Sequence, residues 1–124
     1  MYVYDVSSLE SFEALPLWVG KLKEHIGNDL PVALVVGQKS DRVNSREVSR
    51  EQGEEFAKSL EAGFIETSAR LNHNVTECFT LMTKLIVVDE STGNEDAIER
   101  VSYSLNFKRV NESSHNFVRK DLLD

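Results

Sequence analysis

The chain has 124 residues, 40% of them hydrophobic and 28% charged, with a formal net charge of −7. That length fits one domain with room for a tail, and the acidic balance argues against nucleic acid or an anionic membrane surface as a partner. No apolar run approaches the roughly 20 residues that span a bilayer, no basic-then-apolar leader follows Met1, and the single cysteine, Cys78, forms no disulfide within the chain. A cytoplasmic setting is the expectation.

Met1–Val6 is short, β-branched and aromatic, and it runs into Asp-Val-Ser-Ser, which reads as a buried strand passing into a helix cap. From about Leu9 to Ile26 the residues Leu9, Phe12, Leu15, Trp18, Val19, Leu22 and Ile26 recur at a helical period. Pro16 inside that pattern predicts a kink, or a restart after an irregular first turn. Gly27-Asn28-Asp29 ends the helix, and Pro31 opens the next strand where a proline is tolerated. Pro31–Gly37 is apolar on both faces, as a central parallel strand covered on each side must be.

Ser49-Arg50-Glu51-Gln52 has the form of a capping box, and it predicts a helix to about Glu61 with Phe56, Ala57 and Leu60 turned inward. Ala62-Gly63 closes it, and Phe64-Ile65-Glu66-Thr67 reads as a short strand. Asn74-Val75-Thr76-Glu77 predicts the start of a last helix whose apolar face is Val75, Cys78, Phe79, Met82, Leu85 and Ile86. The order β-α-β-α-β-α implies an α/β fold with a parallel sheet and right-handed crossovers. Residues 1–88 are expected to form this domain. Residues 89–124 are rich in Asp, Glu, Asn and Ser, and are expected to be a mostly disordered tail with a possible short element over Val101–Val110.

Two polar segments follow the second and third strands. Gln38-Lys39-Ser40-Asp41 comes directly after Val35-Val36-Gly37, and Thr67-Ser68-Ala69-Arg70 after Phe64-Ile65-Glu66. Loops at the carboxyl ends of neighbouring parallel strands converge on one ligand. Guanine carries two adjacent donors, its ring N–H and exocyclic NH₂, beside an acceptor oxygen. An ionised Asp41 accepts both donors at once, whereas adenine would leave that carboxylate unpaired. A backbone N–H from Ser68-Ala69-Arg70 suits the base oxygen, the stem of Lys39 suits the flat face of the base or ribose, and Ser68 is placed to hold Asp41. His25, His73 and His115 are scattered and predict no metal site.

Together these segments resemble the carboxyl-terminal half of a Ras-superfamily small GTPase, over Met1–Val88. The resemblance is carried by Val3-Tyr4-Asp5-Val6, Glu10-Ser11-Phe12-Glu13, Trp18, Val35-Val36-Gly37-Gln38-Lys39-Ser40-Asp41, Arg46-Glu47-Val48, Gly53-Glu54-Glu55-Phe56-Ala57 and Phe64–Arg70. Trp18 and the phrasing of Gly53–Ala57 and Asn74–Phe79 lean toward Rab proteins. The family's guanine motif, Asn-Lys-x-Asp, is matched at Lys39 and Asp41 and departed from at Gln38. Its Ser-Ala-Lys motif is matched at Ser68 and Ala69 and departed from at Arg70.

The resemblance implies a partial three-layer P-loop fold, with three parallel strands and three helices and the family's first three strands absent. It implies GTP or GDP as ligand through Gln38, Lys39, Asp41, Ser68, Ala69 and Arg70, and an effector or regulatory protein as partner. The 124 residues contain no Gly-rich loop ending Gly-Lys-Ser/Thr and no switch segments. No catalytic residue and no Mg²⁺ ligand is therefore expected, and Mg²⁺ would enter only with the missing half. The expected nucleotide affinity is about millimolar or weaker. A non-catalytic interaction module or a truncated isoform is the alternative reading. The tail has no terminal cysteine, so no prenyl anchor is expected.

Overall fold

A computed structural model describes residues 1–92 of the chain. The elements in order are β1 (Tyr2–Asp5), α1 (Leu9–Glu13), α2 (Leu15–Ile26), β2 (Leu34–Gln38), α3 (Arg50–Ser59), β3 (Gly63–Glu66) and α4 (Val75–Thr92). The strands form one parallel sheet in the order β1-β2-β3. Tyr2 pairs with Val35 and Asp5 with Gln38, and on the other side of β2 Leu34 pairs with Gly63 and Gly37 with Glu66. This is the α/β arrangement that the apolar runs imply, with β2 central and its residues 34–37 buried.

The expected first helix is two helices that meet at Ala14. Pro16 sits at the start of α2, where its missing N–H costs no hydrogen bond. The restart resets the helical phase, so Leu15 and Val19 are buried while Trp18 and Ile26 lie about half exposed, at 56% and 47%. Lys21 covers the Trp18 ring, with its ammonium 5.0 Å from the ring centroid. Gly27 ends α2 with a φ of 81°, a conformation that costs any side chain but is open to glycine.

Each face of the sheet has its own core. Tyr4, Val6, Leu15, Val35, Val48, Ala57 and Phe64 pack on the side of α1, α2 and α3, and an edge-to-face chain of Tyr4, Phe12 and Phe56 rings links β1 to α1 and α3. Gly53 lets α3 close on this core, because a Cβ there would lie 2.6 Å from the Phe64 ring. The capping box at α3 forms as the sequence predicts, with Ser49 Oγ accepting from Gln52 N and Gln52 Oε1 accepting from Ser49 N.

On the opposite face Leu34, Val36 and Ile65 pack against Cys78, Leu81 and Leu85 of α4. Leu81 thus takes the inward place expected of Phe79 and Ile86, which are 63% and 40% exposed. The helix covers β2 and β3 but not β1, so its buried stripe runs along Cys78, Leu81 and Leu85. β1 carries no further strand on its outer side among the described residues, and Met1 and Val3 are about half exposed there. Only one face of β1 is therefore open, since Tyr4 on the other face is buried. The expected tail and the element over Val101–Val110 lie outside the described residues, and α4 itself continues past Val88 to Thr92. No helix among the described residues is long and apolar enough to cross a membrane.

Candidate functional site

The strand register sets the two polar loops side by side. Ser40 N donates to Thr67 O (3.0 Å) and Thr67 N donates to Gly37 O (2.8 Å), so the loop after β2 and the loop after β3 leave the sheet as a joined pair. Between them and the uncovered end of α4 lies a cavity of about 480 Å³, within the range of small-molecule sites, about 300–1,000 Å³. Gln38, Lys39, Asp41, Ala69 and Arg70 line its polar end; Met1, Val3, Val36, Val75 and Phe79 line its apolar end. Of the six residues singled out from the sequence, five face this space. The sixth, Ser68, lies fully buried behind it.

Ser68 Oγ donates to Asp41 Oδ1 at 2.7 Å and accepts from Leu71 N at 3.1 Å. One buried hydroxyl thereby fixes both the carboxylate and the turn that carries Ala69. The bond from Ser68 is the chief cause holding the Asp41 carboxyl below its ordinary range; Arg70 and Arg42 add attraction, and partial burial opposes it. Asp41 is accordingly ionised at neutral pH, with its position fixed through one oxygen. The loop beneath Ala69 is closed by a reciprocal pair, Ser68 N to His73 O (3.0 Å) and His73 N to Ser68 O (2.8 Å). His73 thus contributes its backbone here.

Left-handed backbone is concentrated in these loops. Lys39 has a φ of 61°, Asn72 of 49° and Asn74 of 58°. Such conformations cost side-chain-bearing residues of order 1 kcal/mol and recur where a loop must aim a group. At Asn74 the amide nitrogen donates to Glu66 O at 3.0 Å, which ties the start of α4 to the end of β3. The side chain expected to cap α4 is used to brace the loop.

Two more pairs support the site, and the sequence did not single them out for it. Arg46 forks onto Glu66, Nη1 to Oε1 at 2.6 Å and Nη2 to Oε2 at 3.1 Å, and Nη1 also donates to Val48 O at 3.1 Å. The Glu66 bond holds the Arg46 guanidinium above its ordinary pKa, against the opposing pull of burial. The clamp joins the segment after the Asp41 loop to the last residue of β3. Lys39 Nζ meets Asp5 Oδ2 at 2.7 Å, while Ser7 donates to Asp5 Oδ1 through its N (2.8 Å) and its Oγ (2.6 Å). Burial alone would raise the Asp5 carboxyl, but the bonds from Lys39 and Ser7 outweigh it and bring the pKa down to about 2. The sequence signal was present in Asp5-Val6-Ser7, where an aspartate can accept from the amide two residues on.

Asp41 held by Ser68, the adjoining Lys39 stem and the Ala69 turn form a polar wall suited to a planar heterocycle with two adjacent donors. Comparison with known proteins gives the family of the chain. The Ras family model matches residues 1–88. The chain is 39% identical over 84 residues to Ras-related protein Rab-8A of Gallus gallus, covering 68% of this chain and 40% of that protein. It is 36% identical over 104 residues to Ras-related protein RabC of Dictyostelium discoideum (84% and 51%), and 38% identical over 85 residues to human Ras-related protein Rab-15 (68% and 40%). The chain belongs to the Ras family of small GTPases. It spans about half the length of the curated relatives it matches.

Proposed function

We propose that residues 38–41 and 68–70 are the guanine-recognising half of a nucleotide site, in a Rab-like switch protein of signalling or vesicle traffic. The observation that carries this reading is Asp41, a carboxylate fixed by the buried Ser68 at the rim of the cavity beside the Ala69 turn. In it Asp41 accepts the ring N–H and exocyclic NH₂ of guanine, the Ala69 N–H donates to the base oxygen, and the Lys39 stem lies along the base. Gln38 and Arg70 flank the base, and Gln38 reaches one methylene further than the family's asparagine. The fit of the chain to GDP or GTP is thus a fit to the base.

Magnesium fits less well. Among the described residues no group of three or more His, Cys, Asp or Glu side chains is placed to hold a metal ion, so no step through Mg²⁺ is derived. Phosphate contacts and the loop amides around them provide most of the binding and the chemistry in phosphoryl transfer, and the 124 residues carry no Gly-rich phosphate loop. We therefore assign this chain base recognition without turnover, with an affinity for GDP of about millimolar or weaker. Residues 1–88 are its domain, the cytoplasm its compartment, and an effector or regulatory protein its partner. The alternative is an interaction module that has kept the fold and lost nucleotide; the open face at Met1, Val3 and Phe79 favours it.

Competition between GDP and ADP for the full chain separates the two readings. Guanine-selective binding supports the site, and equal or no response to both supports the module. Single-turnover hydrolysis of GTP is expected to be undetectable, and measurable cleavage by this polypeptide would contradict the assignment.

A further inference from the structure

Lys39 and Asp41 are two residues apart in one loop, line the same cavity, and carry opposite charge. An ammonium placed on Asp41 would occupy the carboxylate on which guanine recognition depends. The structure shows Lys39 elsewhere. The positive φ at Lys39 sends its side chain back over the carboxyl end of the sheet, where Nζ sits 2.7 Å from Asp5 Oδ2. Asp5 is prepared for that contact. Its other oxygen takes two bonds from Ser7, its side chain is 15% exposed, and its amide donates to Ser11 Oγ (3.0 Å) at the start of α1. Arg42 Nη1 also reaches Ser7 Oγ, at 3.5 Å.

We propose that Asp5 is a positioning residue for the guanine site: it holds the Lys39 ammonium on β1 and so keeps the Asp41 carboxylate open to the base. The inference rests on the guanine reading of Asp41, but its test does not need bound nucleotide. Arg42 and Arg70 lie near Asp41 as charges and are present in every variant below, and the double variant separates the effect of Lys39 from that of removing the Asp5 charge and its Ser7 bonds.

The experiment is a carboxyl-detected NMR titration of Asp41 in the full chain, without nucleotide, for the wild type, Asp5→Asn, Lys39→Met and the double variant. Asp5→Asn is expected to release Lys39 onto Asp41 and move its titration to lower pH. Lys39→Met is expected to leave Asp41 where it is, and the double variant to match the wild type. An unchanged Asp41 in Asp5→Asn, or an upward shift in Lys39→Met, would overturn the proposal. Should Asp5→Asn not fold, the Lys39→Met arm still decides, because it shows directly whether Lys39 was engaging Asp41. With nucleotide present, the preference for GDP over the inosine analogue, which lacks the exocyclic NH₂, should fall about two- to fivefold in Asp5→Asn. Loss of guanine binding in the wild type with the titration pattern intact would count against the guanine reading and leave the Asp5 mechanism standing.

Discussion

Replacing Glu66 by Gln tests the clamp that supports both loops. Glu66 has a side chain only 10% exposed and its partner Arg46 one 25% exposed, and the two are joined through both carboxylate oxygens. Glutamine keeps the shape but turns an N–H₂ toward a guanidinium N–H, so one bond is lost and a partly buried cation is left without its counter-charge. Breaking a fully buried pair on one side costs about 3–5 kcal/mol; the quarter exposure of Arg46 brings the expectation here to about 2 kcal/mol. For a domain of this size that lowers the melting temperature by about 10 °C. Thermal unfolding followed by far-ultraviolet circular dichroism measures it. Arg46→Met in the same background should recover about half of the loss, because the stranded charge is gone. A Glu66→Gln midpoint within 2 °C of wild type, on the order of a few tenths of a kcal/mol, would show that the clamp contributes little.

Ser68→Ala removes the bond that fixes Asp41 and leaves the Leu71 amide without its acceptor; GDP binding should weaken about tenfold, and the Asp41 titration should move up. No change in either would refute the role given to Ser68. Asp5 has its folded pKa lowered from 3.8 to about 2, so its stabilising effect is present above about pH 4 and lost as the pH falls toward 2. The gap in melting temperature between wild type and Asp5→Asn should therefore be open at pH 6 and close toward pH 2; a gap that stays constant over that range excludes the ion pair as its origin. Val3→Lys places a charge on the open edge of β1 and should reduce concentration-dependent association in sedimentation velocity. Equal association by both proteins would mean that another surface is responsible.

The order of elements was legible because it depends on local chemistry: the both-faces-apolar run at Pro31–Gly37, the capping box at Ser49 and the stop at Gly27 each act over a few residues. The convergence of Asp41 and Ser68 followed from topology, since parallel neighbours place their carboxyl ends together. Helix rotation was not legible. Phe79 and Leu81 both fit an apolar stripe, and which of them points inward depends on how much of the sheet α4 covers, a tertiary fact. Asn74 looked like a cap and serves as a brace, because the same short amide satisfies either end of a tight turn. The Arg46–Glu66 and Lys39–Asp5 pairs join residues 20 and 34 positions apart, and no local pattern announces them.

The central claim is that this chain selects guanine through Asp41 with the Ser68–Arg70 loop beside it. Amide chemical-shift mapping of the full chain with GDP and with ADP, at millimolar concentrations, tests it most directly. GDP-dependent shifts are expected at Gln38–Arg42 and Ser68–Asn72, absent with ADP and abolished by Asp41→Ala. Shifts of equal size and place with both nucleotides, or none at these two loops with GDP, would contradict it.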